Sequence, residues 1–182
     1  MANEIVTRLT CDEFVGGAGA SPYGGVGRDG SNVPYGLCVG IGMVGGKTNS
    51  IYAGFRVPNS AALATGLTFE IALAADNAPG NIDLVNQAMK FGVTVGPITS
   101  GTSTFDESST GALASSTEAT GTITMTSVAP VVYTLSIAVP IASMNGLAAG
   151  GHAMLRIRRL GGAAPDIGRN RALISWVDIR NT

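Results

Sequence analysis

Residues 131–140, VVYTLSIAVP, decide the fold. Val131, Tyr133, Leu135, Ile137 and Val139 fall on one side of an extended chain, Val132, Thr134, Ser136 and Ala138 fall on the other, and Pro140 ends the run. Successive side chains of a strand point to opposite faces, so this is a strand with one apolar and one small polar face. The same period of two recurs on both sides of it. Leu67, Phe69, Ile71 and Leu73 alternate with Thr68, Glu70, Ala72 and Ala74, and Ile51, Ala53, Phe55 and Val57 alternate with Tyr52, Gly54 and Arg56 before Pro58, Asn59 and Ser60 close the run. Further along, Met89, Phe91, Val93 and Val95 alternate with Lys90, Gly92 and Thr94, while Ile123 and Met125 alternate with Thr122, Thr124 and Thr126. Near the end, Met154, Leu155 and Ile157 sit among Arg156, Arg158 and Arg159, and Leu173, Val177 and Ile179 alternate with Ile174, Trp176, Asp178 and Arg180. With Leu37, Val39, Ile41 and Met43, these runs predict seven or eight antiparallel strands. A single open sheet would leave half of the apolar faces wet, so the pattern predicts an all-β, two-sheet antiparallel sandwich of jelly-roll type.

Composition agrees. The 182 residues suffice for one sizeable core. Glycine, at 26 residues, is about twice as common as usual and would disrupt a helical bundle. Charged residues make up 13% of the chain, so much of the surface is small and neutral. A net charge of −1 supplies no general attraction for nucleic acid or an anionic membrane, and neither is expected as a partner. The start, MANEIVTRLTCDEF, lacks the basic and apolar runs of a signal peptide, and no apolar stretch is long enough for a membrane-spanning helix. Synthesis in the cytoplasm is the expectation.

Residues 1–36 read differently from the rest. GGAGASPYGGVGRDGSNVPYG has no apolar period and is rich in glycine. Such a segment is either a disordered tail or an extended arm that orders against a partner. Its apolar residues, among them Val6, Leu9, Phe14, Tyr23 and Tyr35, favour an arm that anchors to another surface. The division expected is a glycine-rich N-terminal arm over 1–36 and a sandwich over 37–182. A second polar stretch, residues 96–121, carries few large apolar residues besides Ile98, Phe105 and Leu113, and reads as an exposed loop with an interaction role.

Catalytic chemistry finds little to work with. His152 is the only histidine and reads as a polar residue beside a turn. An enzyme of cupin type would have to use it with Asp166 or Asp178, whereas cupin metal sites draw on several imidazoles. Cys11 and Cys38 lack zinc-site spacing, so no metal, cofactor or catalytic residue is expected. The glycine-rich GGVGRDG has neither the strand-to-helix setting nor the Lys-Ser/Thr ending of a phosphate loop. Arg156, Arg158 and Arg159 form the densest charge in the chain. They could meet an acidic partner as a polar interface, but the reading preferred here is internal, with Arg156 and Arg158 sharing a strand face and pairing with Asp178 or Asp166.

Four stretches carry a resemblance. IYAGFRVP (51–58) ends at a proline, and LTFEIALAAD (67–76) follows after a turn. YTLSIAVPIASMNGLAAGGHAMLRIRRL (133–160) passes through a Gly/Ala-rich turn into an arginine-bearing strand, and GGAAPDIGRNRALISWVDI (161–179) closes with an Asp loop and a last apolar strand. Over residues 49–180 the chain thereby resembles the jelly-roll decoration, or cement, proteins of tailed bacteriophage capsids. The resemblance implies a non-enzymatic virion protein on the capsid exterior, a homo-oligomer (dimer or trimer) that binds the outer face of the major capsid protein shell and stabilises it. The alternative is a head-fibre or tail component that recognises a host surface glycan. Against that alternative, Trp176 is the only tryptophan and the loops lack aromatic platforms.

Overall fold

The computed structural model describes residues 5–16, 22–28, 34–41, 48–57, 59, 63, 65–75, 87–101, 103, 111–125, 132–161, 163 and 172–182, with the backbone alone for 22–28, 34–41, 48, 74, 75, 87, 125 and 173. These residues form strands β1 (Ile5–Thr10), β2 (Val15–Gly16), β3 (Pro22–Arg28), β4 (Pro34–Ile41), β5 (Thr48–Arg56) and β6 (Gly66–Ala75). They continue with β7 (Gln87–Ile98), β8 (Ala119–Met125), β9 (Tyr133–Pro140), β10 (His152–Leu160) and β11 (Ala172–Asn181), besides short 3-10 turns at Cys11–Glu13 and Ile141–Ser143.

Two antiparallel sheets result. The first runs β3-β4-β11-β6-β9, and the second runs β2-β5-β10-β7-β8. Strand β6 pairs along the length of β11, so β4 and β1 share the other side of β11, at Ala172–Ile174 and at Trp176–Arg180 respectively. Taken from β4 onward, eight consecutive strands give the orders β4-β11-β6-β9 and β5-β10-β7-β8. That interleaving of two four-stranded sheets is the jelly roll, and the sandwich expected from alternation is the fold observed.

Alternation fills the space between the sheets. Leu67, Phe69, Ile71 and Leu73 of β6 meet Ile51, Ala53 and Phe55 of β5, Met89, Phe91, Val93 and Val95 of β7, and Leu135, Ile137 and Val139 of β9 in one buried cluster. Strand β11 departs from strict alternation. Ile174, which the period of two places with the outward residues, is fully buried, as are Val177 and Ile179. The pairing with β6 shifts between Ile174 and Trp176, and the extra residue, Ser175, resets the phase so that both halves of β11 turn their apolar side inward.

Two readings of the polar segments change. The described parts of residues 1–36 form strands of the same two sheets and one 3-10 turn between them, and Leu9 and Phe14 lie buried in the sandwich core. Abundant glycine hides the period, but β11 beyond Ile174 needs a hydrogen-bonding partner on its outer side and β1 supplies it. The stretch 96–121 is not one loop. Gly96, Pro97 and Ile98 extend β7 against β10, Ala119 to Gly121 begin β8, and Ala112 and Leu113 are buried with Met154; residues 104–110 lie outside the described residues. Small residues that lie flat on a sheet leave no periodic signature.

If the N-terminal segment belongs to the core, Phe14→Ala destabilises the full chain by about 3–5 kcal/mol and Leu9→Ala by about 2–5 kcal/mol. Val15→Ala, at an exposed position, stays within about 0.5 kcal/mol of the parent. Urea unfolding of the three variants measures this.

Candidate functional site

The outer face of the second sheet is built from the even-numbered residues of β10 and β7. Odd-numbered Ala153, Leu155 and Ile157 point into the core, so Met154, Arg156 and Arg158 point outward. Opposite Arg156 and Arg158 on β7 stand Thr94 and Gly92. Residues 111–118 form a strap laid across this face. It is held by turns (Ala114 N–H to Gly111 O, 3.0 Å; Ser116 N–H to Leu113 O, 3.1 Å) and by Thr117 N–H donating to Ser143 O at 2.9 Å. A Cβ at Gly92 would collide with the Glu118 carboxylate, and one at Gly96 with Ala112 O. Glycine at these two outward positions thus lets the strap lie against the backbone of β7.

Glu118 is what the strap delivers. Arg158 donates to it through Nε and, at 3.0 Å, through Nη2, while Arg156 Nη2 reaches Glu118 Oε2 at 3.3 Å and Thr94 Oγ1 at 2.9 Å. The Glu118 and Arg156 side chains are each 14% exposed and that of Arg158 is 33% exposed. The two arginines therefore pair internally, as their shared strand face suggests, but with Glu118. Asp178 belongs to the other sheet, and Asp166 lies outside the described residues. Arg159 leaves the group altogether. Parity turns it inward, where it is fully buried at the sandwich end opposite Asn49 and Phe91.

On the first sheet, Asp178 joins β1 to β11. Arg8 grips its carboxylate with Nε at 2.5 Å and Nη2 at 2.8 Å, and the Arg8 guanidinium lies 5.7 Å from the Trp176 ring centre. Arg180 sits beside it, with Nη2 4.0 Å from Asp178 and Nε donating to Glu70 at 2.6 Å. Hydrogen bonding from Arg8 holds the Asp178 carboxyl below the usual carboxylate range. Burial opposes this, and the charges of Arg8 and Arg180 add to it.

A hollow of about 440 Å³ opens beside the β2 edge of the second sheet, lined by Glu13, Val15, Gly16, Tyr52, Gly54 and Met154. Its lining is mostly apolar. Glu13, at its rim, is occupied, since its carboxylate accepts from the Thr10 N–H at 2.7 Å and the Thr10 hydroxyl at 2.9 Å. Val15 is 68% exposed, and Ile5 at the start of β1 is 43% exposed.

Of the residues that sequence singles out as anchors, Leu9 and Phe14 spend their apolar surface on the sandwich itself, and Val6 packs partly against it. Tyr23 lies on β3 opposite Gly40 and Tyr35 on β4, with their side chains outside the described residues. His152 is exposed at the head of β10, opposite Arg56 and Ile98. Among the described residues no three His, Cys, Asp or Glu residues stand together as metal ligands. Nothing in the sequence reading singles out Glu118. The available signal is the glycine pair at 92 and 96, two outward positions left empty on one strand. No protein-family model and no curated protein matches the chain.

Two outcomes follow. Glu118→Ala leaves two partly buried guanidinium groups without their carboxylate and costs about 1–3 kcal/mol, less than a fully buried pair because Arg158 is a third exposed. Equilibrium denaturation measures it. The Asp178 pair contributes stability that is fully present above the ordinary carboxyl value of 3.8 and is lost as pH falls through the lowered one. Unfolding free energy followed on acidification should accordingly fall less steeply for Asp178→Asn than for the parent, and parallel curves would contradict the assignment.

Proposed function

We propose that this chain is a virion structural protein that binds the outer face of a major capsid protein shell and stabilises it, in the manner of the decoration proteins its sequence pattern resembles. The observation that carries the reading is where apolar surface remains. Three large apolar side chains stand exposed among the described residues, and two of them, Ile5 and Val15, belong to the N-terminal segment; Val15 also borders the apolar hollow at the β2 edge. Attachment is therefore assigned to this edge, not to Leu9 and Phe14, which the core already uses. The sandwich supplies a stiff body, with the strap fastened down by Glu118. Each contact is small, and a lattice of many copies multiplies it.

Co-sedimentation of the full chain with undecorated capsids of the virus that encodes it tests the proposal. The parent protein should pellet with the capsids to saturation. Val15→Asp should weaken that binding by about tenfold or more with an unchanged melting curve. A parent protein that stays in the supernatant while binding a glycan array would replace this reading with the head-fibre or tail one.

A further inference from the structure

The two long sides of the sandwich are finished differently. On one side the edge strands are blunted. β2 has only two residues, β1 and β3 both carry register shifts, and Arg8, Asp12 and Glu13 bring charge to this side. Short strands, bulges and charges are the usual devices against edge-to-edge pairing. Among the described residues the opposite side has none of them. Strands β8 (ATGTITM) and β9 (YTLSIAVP) carry no charged residue, pair in unbroken register with β7 and β6, and among the described residues each pairs on one side only. They also come together. A Cβ on Gly121 of β8 would lie 2.8 Å from Ile137 Cγ1 of β9, so the two edge strands face each other across the core and bound one flank, with exposed Thr120, Thr122 and Thr124 on the outer face of one sheet and Thr134, Ser136 and Ala138 on that of the other. Val132, just before β9, is the third exposed apolar side chain, at 47%.

We infer that this flank is the site at which two copies of the chain associate, edge to edge, about a two-fold axis near Ser136 and Ile137. Three considerations select a second copy. An uncharged edge is complementary to itself, because antiparallel pairing of β9 with its counterpart keeps apolar residues over apolar ones and sets Thr, Ser and Ala opposite each other. A two-fold contact closes, whereas head-to-tail use of the same edge would propagate into filaments. The area is also adequate. At roughly 3.3 Å per residue an eight-residue edge is about 26 Å long, and with sheets about 10 Å apart plus side chains the flank covers on the order of 500 Å² per subunit, or about the 1,000 Å² in total that a specific interface requires. This inference stands whether or not the chain binds a capsid.

The experiment is sedimentation equilibrium of the purified full chain across a range of concentrations, beside Ser136→Lys and, as a control charge away from the flank, Ala148→Lys. Both positions are exposed. The parent and Ala148→Lys should have twice the 18.3 kDa subunit mass. Ser136→Lys places like charges opposite each other across the axis and should weaken association by roughly tenfold or more, with circular dichroism and melting of the monomer showing that the fold is kept. As a second reading, Ser136→Cys should form an intermolecular disulfide under oxidation that the parent does not. A monomeric parent, a trimer, or a dimer indifferent to Ser136→Lys overturns the inference.

Discussion

Strand β11 has two sides and three partners, and much of the fold depends on how that is arranged. On one side β6 pairs along its whole length; on the other, β4 takes the first part and β1 the second. The bulge at Ser175 falls where the two short partners change over. It keeps Ile174 and Val177 both facing the core, which strict alternation forbids, and so permits a central strand to serve two neighbours without exposing an apolar face. The N-terminal segment then crosses from β1 in the first sheet to β2 in the second and returns at β3. Leu9 and Phe14 are buried along that path.

The second sheet meets a different constraint. Its outer face would present two neighbouring arginines, and the chain neutralises them by bringing a distant carboxylate over the backbone. Glu118 reaches Arg156 and Arg158 because β7 has no side chain at Gly92, and the strap follows because it has none at Gly96. Leu113 and Ala112 cover Met154 in the same stroke. Electrostatic pairing and apolar burial therefore fix one segment together, and a change at either glycine would disturb both.

The sandwich was legible from sequence because its strands are amphipathic with a period of two, and β9 is the clearest case. The order of strands was not, since alternation says which face is buried and nothing about neighbours. The N-terminal strands were illegible for another reason. A segment with so much glycine offers few side chains to define a face, and among the described residues Leu9 and Phe14, with Val6 in part, mark the places where it touches the core. Arg159 shows the same limit in reverse: grouped with Arg156 and Arg158 by proximity in sequence, it is separated from Arg158 by a single step of the pleat, which sends it to the other side of the sheet. The partner of the arginines was missed because a carboxylate in a polar loop carries no address until the glycines opposite it are read as empty positions.

In the antiparallel pairing of β1 with β11, Ile5 stands opposite Arg180. Ile5 and Arg180 therefore lie at one corner of the body, about one strand spacing apart, with Asn181 and Thr182 continuing along β6. Tension applied between Ile5 and Arg180 would open the β1–β11 ladder one rung at a time instead of shearing all its rungs at once. A load entering through the middle of the sandwich would meet both sheets together. The corner is the compliant end of an otherwise stiff body.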